Sequence, residues 1–311
     1  MKKCIFIISA AIILLFIQAT IKNKEPATKE ELGKLLFFDT ILSSDSTISC
    51  ASCHKPQFAF ADSTATSRGV GGVLGLRNTP SAMNVALQRI FFWDGRAKTL
   101  EEQALAPIEN PVEMNLTIDK ALQRLKENEA YNAYFKKIFN REPNRTNLAE
   151  ALAAFERGLE TNESPFDRWK FGQDPHAVSD SVKRGFIVFN NKGKCIQCHF
   201  GSNFAADGFR NIGLFNGREL NDSGRTVITH DPLDIGKFKI APLRNVAVTA
   251  PYMHNGMFKT LKDVIEFYND PGKIVPSAIN RDILLAKPLG LTEQEKADLE
   301  NFLIALTDKF F

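Results

Sequence analysis

Tryptophan, tyrosine, histidine and cysteine are all scarce in this 311-residue chain, at two, four, five and five residues. Four of the five cysteines fall in two close pairs, Cys50/Cys53 and Cys195/Cys198. Pairs that close in sequence cannot staple a fold usefully, which argues against structural disulfides. An excess of one charge sign is missing too. The formal net charge of +3 is too small to mark a nucleic-acid partner, and no basic stripe with interleaved aromatics is present. Neither a strand series nor a βαβ pattern is evident. No apolar run reaches the roughly 20 residues that a spanning helix needs. What is abundant is phenylalanine, at 25 residues, within a hydrophobic content of 44%. That content is ordinary for a soluble globular protein, and the length suits two domains of usual size or one large one. The phenylalanines suit dry walls around a buried ring system, though plain core packing accounts for them equally well.

The cysteine pairs belong to two copies of one signature, Cys50-Ala51-Ser52-Cys53-His54 and Cys195-Ile196-Gln197-Cys198-His199. Each reads C-x-x-C-H, the attachment sequence for c-type haem. Two thiols at this spacing can form thioethers to the vinyl groups of one haem, and the adjacent histidine can supply an imidazole to its iron. A zinc module would place its two halves roughly 12 to 20 residues apart, and these pairs are far more widely separated. A thioredoxin-like redox pair would need the βαβ context that is lacking. The motifs therefore predict two covalently bound haem c groups, attached at Cys50, Cys53 and His54 and at Cys195, Cys198 and His199.

The N-terminus has the form of an export signal. Met1-Lys2-Lys3 is basic, residues 5–17 are apolar, and Ile17-Gln18-Ala19 is a passable cleavage site. Residues 1–21 are expected to be a signal peptide, with an uncleaved membrane anchor as the alternative. Cys4 precedes the apolar stretch, where no lipoprotein acylation site would be. Export to the periplasm is also what covalent haem attachment requires.

Helical patterning dominates the remainder, with long loops between. Thr28 with Glu31, Thr99 with Glu102, Thr260 with Asp263 and Thr292 with Glu295 read as capping boxes. The helix after Thr99 carries Gln103 and is expected to stop near Pro107. Residues 117–139 read as helical. Leu148, Leu152, Phe155 and Leu159 form an apolar stripe at helical spacing, and so do Leu299, Phe302, Leu303 and Leu306. A further helix over 178–189 leads into the second motif. Both halves share a layout of helix, C-x-x-C-H and glycine-bearing loop, which suggests two related haem domains. The expected fold is mainly α, with two cytochrome c-like domains whose haems face a shared interface. The division is placed after residue 164, giving domains 22–164 and 165–311.

The chain resembles the bacterial dihaem cytochrome c peroxidases and the related MauG proteins. The resemblance rests on LGKLLFFD (32–39), ISCASCH (48–54), LRNTPSAMN (76–84) and FFWDGRAKTLEEQALAPIENPVEM (91–114). It continues in SPFDRW (164–169), KCIQCH (194–199) and APLRNVAVTAPYMHNGMFKTLKDVIEFYN (241–269). It implies a peroxidatic haem at His54 and an electron-transfer haem at His199. Glu113 and Gln103 match a carboxylate and an amide that line the open face of the peroxidatic haem. A carboxylate can shuttle a proton as peroxide splits, and an amide can steady bound oxygen through hydrogen bonds. Without the resemblance, Glu113 would read as a solvated loop carboxylate. Trp93 matches a tryptophan between the haems that relays charge. Asn78, Thr249 and Pro251 match a calcium site, for which amide and backbone oxygens are suitable hard ligands. Trp169 and His254 read as supporting groups, and His176 and His230 as exposed loop histidines.

Two departures from the peroxidase pattern stand out. Many family members rest with a distal histidine on the peroxidatic haem, in the loop after its motif; residues 55–77 contain none. The first haem is therefore expected to be open without prior reduction. Standard peroxidases also place methionine distal to the second haem, where this chain has Tyr268, as MauG-type proteins do. Met253 and Met257 are the competing ligands. The leading expectation is a peroxidase that reduces hydrogen peroxide with electrons from a small cytochrome c or copper protein. The alternatives are MauG-like oxidation of a partner protein's side chains by high-valent haem, and a non-catalytic dihaem electron carrier. Glu113 and Gln103 argue against the carrier, which needs neither. A homodimer is left open.

Overall fold

The computed structural model describes residues 25–311, so the signal segment and the anchor alternative lie outside the described residues. Among those described, no helix is long and apolar enough to cross a membrane. The first half contains α1 (Lys29–Phe38), the one-turn α2 (Cys50–Cys53), α3 (Leu100–Glu109), α4 (Ile118–Glu127), α5 (Glu129–Phe139) and α6 (Arg145–Arg157). The second contains α7 (Pro165–Lys170), α8 (Asp180–Asn190), α9 (Thr226–Thr229), α10 (Leu261–Asn269), α11 (Pro271–Ile274) and α12 (Glu293–Ile304). The one sheet among the described residues pairs β1 (Phe209–Arg210) with β2 (Phe238–Lys239), antiparallel.

The capped starts form where the sequence places them, with two variations. Thr28 and Thr99 accept the N–H of Glu31 and Glu102. The returning carboxylates, however, bond one residue earlier, Glu31 to Ala27 and Glu102 to Lys98. The helical stretch over 117–139 is divided into α4 and α5, because the Asn128 side chain caps α5 by accepting from Tyr131. The α3 helix ends just past Pro107, at Glu109. Proline in a last turn forfeits a single helical hydrogen bond. That end is held instead from the following loop, by Met114 N–H on the Pro107 carbonyl and Leu116 N–H on that of Ile108.

Each half is built on one close helix crossing. In the first, α1 crosses α6 at Gly33, where a Cβ would lie 1.8 Å from the Ala151 carbonyl oxygen. In the second, α8 crosses α12 at Gly185, where a Cβ would lie 1.9 Å from that of Asp298. Only glycine lets the backbones approach so closely. A phenylalanine pair follows each crossing, Phe37 on Phe155 and Phe189 on Phe302, both at 5.0 Å. Two large apolar cores result, one drawn from residues between 32 and 152 and one from residues between 166 and 306.

Between the cores lies a buried polar seam with near-symmetric chemistry. Asn84 and Asn245 both adopt left-handed backbones, at φ of 56° and 61°. Their N–H groups bond to Leu159 and Leu306, just past the ends of α6 and α12. Both side-chain amides donate to the Thr161 hydroxyl. Buried Arg244 forks onto Asp167 at 2.7 and 2.8 Å, holding Asp167 below the usual carboxylate range despite its burial. Arg77 ties the halves again, bonding Asp94 at 2.6 Å and Asp222 at 2.6 and 2.8 Å.

Candidate functional site

The two motifs are built alike. α2 is headed by Ser49, whose N–H donates to Ser52 Oγ at 2.9 Å, and the His54 N–H closes onto the Cys50 carbonyl. In the second motif the His199 N–H closes onto that of Cys195. None of the four motif cysteines is in a disulfide, and burial raises each thiol above its usual range. His54 Nδ1 lies 2.9 Å from the Phe60 carbonyl, and His199 Nδ1 lies 2.9 Å from that of Phe204. Phe60 and Phe204 both have left-handed backbones, which turn these carbonyls towards the rings. A carbonyl can only accept, so Nδ1 carries the proton and Nε2 keeps a lone pair for a metal. Burial depresses both imidazoles, which keeps them neutral. Paired thiols beside a neutral, oriented imidazole, twice over, fit two haem c groups.

The structure brings Glu113 near the thiols of the first motif. Gln103 sits on α3, with a buried Oε1 that has no hydrogen-bond partner. Buried amides are almost always paired, so an unpaired oxygen marks a place for a ligand. Glu113 follows α3 in a tight loop. Its N–H bonds to the Asn110 carbonyl, and Asn110 Nδ2 donates to its Oε1 at 2.7 Å. The 69–70 loop braces it: a Cβ on Gly69 would stand 2.2 Å from the Val112 carbonyl oxygen, and Val70 N–H bonds to the Glu113 carbonyl. Burial pushes the Glu113 carboxyl up, against the pull of Arg96 and Asn110. Its charge acts on both Cys50 and Cys53, which places it in their chamber.

Above the second motif stands Tyr268, on α10. Burial raises its phenol, and the nearby Cys195 and Cys198 raise it further. Of the competing methionines, Met257 is exposed and Met253 packs against the second core.

Trp93 is half-buried and touches residues of both halves. Its Nε1 donates to the Asn78 carbonyl at 2.8 Å, and its ring meets His254 edge-on at 6.4 Å. His254 is buried and stacks flat on Phe238 at 3.6 Å; burial pushes its imidazole down to about 4. Asn78 N–H bonds to the His254 carbonyl, so the Asn78 strand runs beside the segment just past Pro251. Asn78 Nδ2 donates to the Thr64 and Ala65 carbonyls, and the Thr249 hydroxyl donates to that of Val246. No cluster of three or more His, Cys, Asp or Glu able to hold a metal exists among the described residues. A cation here would have to use neutral oxygens. His176 and His230 are exposed, and Trp169 packs edge-on against Phe166 and Phe186.

Several contributors escape the sequence reading: the Phe60 and Phe204 carbonyls, the Arg77 bridge, the Phe238–His254 stack and Glu156. One signal was available, since each motif histidine is followed five or six residues later by a phenylalanine.

The sequence profile of the di-haem cytochrome c peroxidases matches residues 27–175. The methylamine utilization protein MauG of Methylorubrum extorquens is 38% identical over 287 residues, spanning 90% of this chain and 79% of its own. The cytochrome c551 peroxidase of Pseudomonas aeruginosa is 38% identical over 258 residues, spanning 80% of this chain and 74% of its own. Among solved structures, a MauG-like protein associated with microbial copper homeostasis superposes with a TM-score of 0.81 at 30% identity. That match covers 92% of this chain and 91% of the other.

Proposed function

This chain belongs to the dihaem cytochrome c peroxidase and MauG family, whose members carry two c-type haems, and from that premise we propose that it reduces hydrogen peroxide to water with electrons from an external redox protein. The carrying observation is the asymmetry of the two sites. The buried Glu113 carboxyl acts on the thiols of the first motif, while the buried Tyr268 phenol lies near those of the second; Gln103, with its unpaired oxygen, would join Glu113. Cys50, Cys53 and His54 hold the peroxidatic haem, and Cys195, Cys198 and His199 the electron-transfer haem. Bound there, haem supplies an iron that takes up electrons and an oxidant. Glu113 moves a proton between the two peroxide oxygens, which its raised pKa suits. Gln103 orients the bound oxygens with its amide. Tyr268 would offer its phenol to the second haem, and Trp93 would relay electrons between the two. The donor is a small cytochrome c or copper protein, in a periplasmic setting. Asn78, Thr249 and Pro251 would hold a calcium ion through neutral oxygens. The two haem domains divide after residue 164.

The test is peroxide turnover with a reduced small cytochrome. Glu113→Ala is expected to lower kcat by about 10²–10⁴, the usual contribution of a positioned acid–base group. Unchanged turnover would remove Glu113 from the mechanism. Tyr268 supports a second reading, the oxidation of side chains on a partner protein. That reading expects no peroxide turnover with a cytochrome, and a long-lived oxidised spectrum after peroxide is added.

A further inference from the structure

The two halves differ at one buried position that this chemistry leaves unused. α6 and α12 hold equivalent places: Ala151 and Asp298 meet the crossing glycines, Phe155 and Phe302 the paired phenylalanines, and Leu159 and Leu306 the seam asparagines. In that register Leu303 stands where Glu156 stands, and each is 7% exposed. Leu303 belongs to the second apolar core. Glu156 is a carboxyl with no hydrogen bond or ion pair among the described residues, since its neighbour Arg157 turns away to Glu101 at 2.7 Å.

Glu156 also addresses the first haem site. Of the charged groups acting on the Cys50 thiol it is the strongest, ahead of Cys53 and Glu113. No carboxylate acts on Cys195, the matching thiol of the second motif. Two carboxyls thus act on the Cys50 thiol and none on Cys195. A buried carboxylate without a partner is costly, so the group keeps its proton. Burial pushes it up to about 8, with Arg157 on α6 opposing and Glu101 on α3 adding.

We propose that Glu156 is a second proton carrier of the first haem site, an internal store for one of the two protons consumed with each peroxide. The inference rests on the peroxide-reducing reading above. One peroxide, two protons and two electrons give two waters, and the electrons come from the external redox protein. Glu113 moves the proton that peroxide already carries. Glu156 releases its own proton towards the chamber and is recharged from solvent. Leucine suits the second half, which passes electrons and has no use for a proton there.

The test uses the holoprotein. At pH 7 its infrared spectrum is expected to show the C=O stretch of a protonated, buried carboxylic acid, titrating away around pH 8. Glu156→Gln and Glu156→Leu should both lose that band, and Glu113→Gln should retain it. Glu156→Gln should lower kcat about a hundredfold, leave KM for peroxide little changed and remove the alkaline limb near pH 8. Glu156→Leu, which copies the second half, should unfold at a higher temperature than the wild type while sharing the kinetic defect, separating proton delivery from structural support. A band that survives Glu156→Gln, or wild-type turnover and pH profile in that variant, would overturn this inference alone. Absence of peroxide turnover in the wild type would overturn it together with the reading it rests on.

Discussion

On the proposed reading, single side chains divide the labour between the two sites. Tyr268 stands over Cys195 and Cys198 with its phenol raised by burial and by both thiols. As an anionic oxygen ligand it would favour ferric iron, where methionine raises the potential. Tyr268→Met is expected to raise the potential of the second haem in a redox titration; an unchanged potential would remove Tyr268 from its coordination. Much of this scale was legible in the sequence. The C-x-x-C-H pairs state their chemistry outright, and the surrounding blocks picked out Glu113, Gln103 and Tyr268. The backbone carbonyls that orient His54 and His199 were not legible, because a carbonyl's direction depends on the left-handed turns at Phe60 and Phe204. Glu156 was hidden in another way. Within the stripe of α6 it reads as a surface carboxylate, and only the three-dimensional register with Leu303 shows it to be interior.

Helix crossings set the frame into which each haem must fit. Gly33 and Gly185 allow α1 to meet α6 and α8 to meet α12 at backbone distance. Gly185→Val is expected to force that second pair apart, at the upper end of the roughly 1–3 kcal/mol that overpacking costs, or beyond it. Thermal unfolding measured alongside haem content would show a loss of stability and of the second haem first. Normal stability would mean that the crossing has slack. The apolar stripes of α6 and α12 and the threonine caps were readable because each depends only on near neighbours. The break at Asn128 was not, since α4 and α5 continue one helical composition and a single side-chain cap on Tyr131 decides the matter. The reach of α3 past Pro107 depends on a loop that folds back from Met114 and Leu116, a contact that no local pattern announces.

Taken whole, the molecule is two versions of one haem-binding unit, joined along a polar seam and specialised by what stands above each iron. The duplicated layout was visible in the sequence, but the seam that joins it was not. Asn84, Thr161 and Asn245 look like loop polarity until they meet at the seam. On the proposed reading, specialisation follows from carboxyls that act on the first motif's thiols and a phenol beside the second's. The central claim is that the first iron is open in the oxidised protein, because residues 55–77 offer it no histidine and its chamber presents Glu113 and Gln103 instead. The most direct test is electron spin resonance of the fully oxidised holoprotein, with optical spectra alongside. One high-spin and one low-spin ferric haem is the predicted result; two low-spin haems would contradict it.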